Sequence, residues 1–78
     1  MERAMPRYFF HVHDGIESPD QDGLELANPT KARKQAVVAC GEAVKDLGGA
    51  FWNNREWRMQ VVDETGATVC VLTLSGVC

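Results

Sequence analysis

The apolar residues near the start of the chain follow the period of two that is typical of a β-strand. Arg7–His13 carries large side chains on both faces of an extended segment, so we expect both faces of this strand to be covered. The connection that follows is rich in turn-forming residues, and we expect Glu17–Gly23 to be a loop. Leu24–Leu26 alternates again and predicts a brief second strand.

A period of 3.6 residues takes over after this strand and predicts one amphipathic helix. Asn28 suits the N-cap and Pro29 the first helical position, while Gly48 and Gly49 allow a left-handed exit. Small side chains dominate the apolar stripe, so the helix can lie close to a sheet. The stripe consists of Ala32, Ala36, Val37, Cys40, Ala43, Val44 and Leu47.

The last third of the chain predicts a β-hairpin. Trp57–Val62 and Thr68–Leu74 alternate, and Asp63–Gly66 between them is a turn sequence with a glycine placed for a bulge. If this turn alone sets the register, Val61 lies opposite Val69. The opposite face of the hairpin then carries the side chains of Arg58, Gln60, Cys70, Leu72 and Leu74.

These elements predict an α+β fold in the order ββαββ, with a four-stranded, mostly antiparallel sheet and one helix packed on one face. The first and fourth strands are the most hydrophobic and are the best candidates for the centre of the sheet. Residues 5–75 form the single domain, residues 1–4 are expected to be a disordered extension, and residues 76–78 a flexible tail. Phe51 and Trp52 either close the open end of the core or form an exposed aromatic lip.

One helix covers only one face of a sheet, and the other face is also expected to be apolar. Exposed apolar patches usually mark interfaces. We therefore expect a homodimer or a protein partner at the helix-free face. The residues predicted to form this interface are Phe9, His11, Cys70, Leu72 and Leu74.

Composition and charge narrow the possible partners. The 78 residues are 45% hydrophobic and 24% charged, which is ordinary for a globular domain, and the net charge is −3. The basic residues are scattered, whereas nucleic-acid binders usually concentrate them on one face, so we do not expect nucleic acid as a partner. The three cysteines have no zinc-type spacing, and no apolar run is long enough for a membrane span. These features predict a cytoplasmic protein with reduced thiols and no membrane association.

Candidate chemistry is sparse in this sequence. His11 and His13 lie on one face of the first strand, as a weak metal-binding pair would, with Asp14 or Cys70 as further ligands. The alternative is that both histidines serve ordinary structural roles in the sheet. No glycine-rich phosphate loop and no nucleophile with a neighbouring base is recognisable. We therefore expect no catalytic residues and no cofactor.

The chain resembles a family of short uncharacterised bacterial proteins that is classed as a domain of unknown function. The opening Met5–His11, which reads MPRYFFH, carries the resemblance together with Asp14-Gly15. Further matching positions follow in the loop, the helix and the second hairpin: Asp22-Gly23, Ala32-Arg33, Ala36, Trp57, Val61, Asp63-Glu64 and Gly66. The resemblance implies that Met5 is the usual start, and it implies no activity, cofactor or catalytic residue.

The sequence thus favours a small non-enzymatic interaction or regulatory module that self-associates or binds a protein partner through the helix-free face. Two alternatives stay open. One is an antitoxin-like or nucleic-acid-associated module, which rests on analogy of fold. The other is a metal-binding protein that uses His11 and His13.

Overall fold

The computed structural model describes residues 5–53 and 56–77. It confirms the α+β class, with one α-helix and an open antiparallel sheet. The predicted extension 1–4 lies outside the described residues, as does Cys78. The elements are β1 (Arg7–His13), β2 (Glu17–Ser18), β3 (Leu24–Glu25), α1 (Pro29–Leu47), a 3₁₀ segment (Gly48–Asn53), β4 (Glu56–Asp63) and β5 (Thr68–Ser75).

The sheet has the order β2-β1-β4-β5, and β3 pairs with the same edge of β1 as β2 does. The expectation that the fourth predicted strand is central is therefore wrong, because that strand is β5 and it ends the sheet. β4 takes the central place instead, since it pairs with β1 on one side and with β5 on the other. The short β2 lies in the segment that was predicted to be a loop.

The helix begins and ends as its capping residues predict. The Asn28 side chain accepts a hydrogen bond from the Lys31 N–H at 2.9 Å, Pro29 follows it, and Gly48 ends the helix with φ of 54°. α1 packs over β4 and β5. Val37, predicted to lie in the buried stripe, is 60% exposed, because the narrow contact is made by Ala32 and Ala36. No helix in the described ranges is long and apolar enough to cross a membrane.

The core lies between α1 and one face of the sheet. Three alternate residues of β4, Trp57, Met59 and Val61, are buried there, as the period of two requires. The other buried residues come from β1, the helix and the 3₁₀ segment: Tyr8, Ala32, Ala36 and Phe51.

A bulge in the second hairpin changes the predicted register. The turn itself is as expected: Gly66 has φ of 91° and donates to the Asp63 carbonyl at 2.9 Å. Val62 pairs with Thr68, but Val61 pairs with Cys70, so Val69 is an extra residue. The predicted pairing of Val61 with Val69 is therefore wrong, and every residue of β5 beyond the bulge faces the side opposite to the one predicted.

The two aromatic residues after the helix have different environments. Phe51 is buried, whereas Trp52 is 48% exposed, and the rings meet edge to face with centroids 5.4 Å apart. Gly76 approaches both rings so closely that a Cβ atom there would lie 2.6 Å from Phe51. Phe51 thus closes the end of the core, and Trp52 presents one side of its ring to solvent.

Candidate interaction surface

The helix-free face of the sheet is mostly polar. Residues directly opposite each other in an antiparallel pair point to the same face, so the register assigns each side chain to a side. Phe9, His11 and His13 of β1 pair with Val62, Gln60 and Arg58 of β4. The next row across this face, from β5, consists of Thr68, Val71, Thr73 and Ser75.

The five residues predicted to form one apolar interface are divided between the two faces. Phe9 and His11 lie on the helix-free face. Cys70, Leu72 and Leu74 lie on the helix side, where Cys70 and Leu72 pack against the core. The extra residue Val69 is the physical cause, because one inserted residue reverses the facing of the rest of the strand. The apolar face from which the interface was inferred is therefore absent from the described part of the sheet.

The two histidines line a shallow cleft of about 190 Å³ beside Glu17, Arg58 and Gln60. His11 Nδ1 accepts a hydrogen bond from the Asp20 N–H at 3.0 Å, and its ring stacks on Phe9 with a centroid distance of 6.5 Å. His13 Nδ1 lies 3.4 Å from a Glu17 carboxylate oxygen without a hydrogen bond. The described residues contain no group of three or more potential metal ligands, and one His11 nitrogen already has a protein partner.

The outer edge of β1 is closed by the segment that follows the strand. β2 pairs with the end of β1, at Val12 and His13, and β3 pairs with its beginning, at Arg7 and Tyr8. Between them the Phe10 N–H donates to an Asp20 carboxylate oxygen at 3.1 Å. A side chain thus replaces a neighbouring strand in the middle of this edge.

Asp20 also organises the loop that carries it. Its second carboxylate oxygen accepts hydrogen bonds from the N–H groups of Asp22 and Gly23, each at 3.1 Å. Desolvation is the largest single influence on this carboxyl and raises its pKa. The hydrogen bonds from Gly23, Phe10 and Asp22, together with the nearby His11, outweigh that influence and hold the pKa of Asp20 below its ordinary value of 3.8. The ionised form is therefore the one that closes the edge.

Gly23 and Arg7 hold the same loop against β1. Gly23 has φ of 71°, and a Cβ atom there would lie 2.8 Å from Arg7 Cγ and 2.9 Å from a Phe9 ring carbon. The Arg7 guanidinium donates to the Asp22 carbonyl at 2.7 Å and to the Glu25 carboxylate at 3.3 Å. A charged pair on an edge strand also discourages pairing with another chain.

The opposite edge of the sheet has none of these features. β5 pairs with β4 on one side, and within residues 5–53 and 56–77 no strand pairs with its other side. The strand sequence TVCVLTLS contains no charged residue and no proline. Val71 is 53% exposed on the helix-free side and Leu74 38% exposed on the helix side. This long uncharged edge is the feature that the sequence prediction missed by placing the strand in the centre of the sheet.

The stretch of chain from β1 to β5 matches the model of a known protein family. Residues 7–75 match the family model described as a domain of unknown function, DUF6894. The chain belongs to this family. The match begins at the first residue of β1 and ends at the last residue of β5, so the DUF6894 unit includes both edges of the sheet. No curated protein and no solved structure matches the chain.

Proposed function

We propose that this protein is a small non-enzymatic interaction module that binds a protein partner by strand addition at the open edge of β5. The difference between the two edges carries the proposal. The β1 edge is closed by β2, β3 and Asp20, whereas no strand among the described residues pairs with the outer edge of β5. Strand addition to such an edge is a common mode of peptide recognition.

The energetics of strand addition require a contribution from side chains. Every second residue of an antiparallel strand directs both its N–H and its C=O group toward a given neighbour. β5 can therefore form roughly eight main-chain hydrogen bonds with a partner strand. At about 0.5–1.5 kcal/mol each, these contribute roughly 4–12 kcal/mol. Association costs about 4–15 kcal/mol of lost freedom, so main-chain pairing alone is nearly balanced. The exposed Val71 and Leu74 are the apolar side chains on this edge that a partner strand would cover.

Photo-crosslinking in cells tests the proposal. A photoreactive amino acid replaces Thr73, on the exposed face of β5, or Glu42, on the exposed side of α1. We expect discrete crosslinked products from position 73 alone, and we expect Val71→Lys to abolish them because a charged edge resists strand addition. Equal products from both positions, or products at position 73 that persist in Val71→Lys, would refute strand addition at this edge.

We also propose that the protein acts in the bacterial cytoplasm, where its thiols would stay reduced. No specific observation favours the two alternatives raised from the sequence. Metal binding through His11 and His13 lacks a third ligand among the described residues. Association with nucleic acid would have to overcome a net charge of −3.

A further inference from the structure

We infer that the strand added to β5 is β5 of a second copy of this chain, in an antiparallel pair about a two-fold axis. This inference rests on the proposed function and names its partner. The result would be one continuous sheet that runs through both copies, with a closed β1 edge at each end. Three properties of the described residues favour a second copy over another protein.

The first property is the absence of charge from the edge. Antiparallel pairing about a two-fold axis sets a strand opposite an identical strand. Any charged side chain near the axis then lies close to a side chain of the same charge and is repelled by it. β5 contains no charged residue from Thr68 to Ser75 and avoids this repulsion. The β1 side of the sheet carries Arg7, Glu17 and Glu25 and would not.

The second property is the match of faces across the axis. Residues directly opposite each other in a sheet point to the same face. The two-fold axis must therefore set one residue of β5 opposite its own copy, because a residue set opposite its sequence neighbour would point to the other face. The middle of β5 is Val71-Leu72, and one of these residues then lies opposite its own copy. In either register Leu72 stays on the helix side, opposite Cys70 or Leu72 of the second copy. Apolar side chains therefore meet apolar side chains on that face.

The third property is the position of the helix. Because α1 packs over β4 and β5, the pairing would bring two helices onto the same face of the joined sheet, one on each side of the axis. Leu74 is 38% exposed beside this helix, and Val71 is 53% exposed on the other face. Both side chains would lose exposure in the pair, which supplies the apolar contribution that strand addition needs.

The two unlike edges also determine the size of the assembly. A chain with two open edges can add copies without limit and form a fibre. Here one edge is closed by β2, β3 and Asp20, so the described part of each copy has one open edge, that of β5. An interface between two identical edges then produces a closed dimer, to which no third copy can be added.

Light scattering on untagged, reduced protein over a range of concentrations is the first test. A dimer has twice the chain mass of 8.6 kDa, or about 17 kDa. We expect this mass for the wild type. Val71→Lys and Val71→Glu should each raise the dimer dissociation constant by at least about tenfold, because like charges then face each other near the axis. Val38→Lys, a matched change at an exposed position of α1, should leave the mass unchanged.

Mixing the two β5 variants separates a local charge effect from a folding defect. Val71→Lys and Val71→Glu place opposite charges near each other in a mixed dimer, so an equimolar mixture should recover the dimer mass. A mixture that stays monomeric while both variants keep the wild-type circular dichroism spectrum would overturn the pairing. A dimer that Val38→Lys breaks and Val71→Lys does not would place the interface elsewhere.

The outcome also distinguishes this inference from the function on which it rests. A wild-type monomer at all concentrations, combined with position-73 crosslinks to a different protein, would overturn the second copy and leave strand addition intact. A monomer that gives no crosslinks at position 73 would refute both the pairing with a second copy and strand addition at β5. A dimer that disappears on reduction would be a disulfide product and would also overturn the inference.

Discussion

Replacing Asp20 with alanine should destabilise this domain, because it removes the acceptor of three main-chain hydrogen bonds. The Asp20 carboxylate accepts three main-chain N–H groups, from Phe10, Asp22 and Gly23, each at 3.1 Å. Hydrogen bonds to a charged group are worth about 1.5–3 kcal/mol each when the group is well buried. Asp20 is only half-buried, so water can replace part of each bond. We expect a net loss of about 2–4 kcal/mol in the free energy of unfolding.

This loss is large for a chain of 78 residues. One kcal/mol shifts the Tm of a small domain by about 4–8 °C, so Asp20→Ala should lower it by roughly 8–32 °C. Thermal and urea unfolding followed by far-UV circular dichroism would measure the difference. Hydrogen exchange should also show faster exchange of the Phe10 amide, because that N–H loses its acceptor.

Asp22→Ala is the matched control for Asp20→Ala. Asp22 lies in the same loop, but its carboxylate makes no hydrogen bond to any described residue, and only its main chain is engaged. Removing it should change the free energy of unfolding by less than about 0.5 kcal/mol. Equal stability of the two variants would show that the carboxylate of Asp20 does not hold the edge and would refute the reasoning.

Four further predictions concern the same loop, the helix and the Cys40 thiol. Because the folded state lowers the pKa of Asp20, its stabilisation is present above the unfolded pKa and is lost as the pH falls through the folded pKa, so wild type and Asp20→Ala should converge in stability in acid urea titrations. Gly23→Ala should cost about 1–3 kcal/mol, because its φ is positive and its Cβ would lie 2.8 Å from a β1 side-chain carbon. Gly41→Ala, whose Cβ would meet nothing within 4 Å beyond its own helix backbone and chain neighbours, should instead stabilise the helix by about 0.5–1 kcal/mol, and denaturant titration compares the two. Burial raises the pKa of Cys40, so alkylation of this thiol at pH 8 should be slower in native than in urea-unfolded protein, and equal rates would contradict the raised value.

The local parts of this fold were predictable because their signals are local. Asn28 and Gly48 mark the ends of the helix, and Asp63–Gly66 forms the turn, since each depends on main-chain geometry within a few residues. Val69 could not be recognised as a bulge, because a bulge depends on the pairing of two strands and on how both pack against the core. That single residue decides which face Leu72 occupies, so the residues predicted to share one face are divided between two although the strand was predicted correctly.

The closed edge of the sheet was hidden for a different reason. Asp20 lies in a polar segment whose composition fits any solvent-exposed loop, and nothing nearby in the sequence indicates that its partners include Phe10. Its role arises only when β1 brings Phe10 and His11 beside the loop. Tertiary placement of this kind leaves no period or motif in a single sequence.

Closing an edge with one carboxylate has a consequence for solubility. None of the buried core residues lies in the Asp20 loop, so we expect this cap to open locally before the whole domain unfolds. A copy in that state has two open edges and can extend an aggregate at both ends. The rate of aggregation should then follow the population of this partly opened state, which acid and Asp20→Ala both increase. In the proposed pair, the ionised Asp20 side chain, together with β2 and β3, would therefore limit the assembly to two copies.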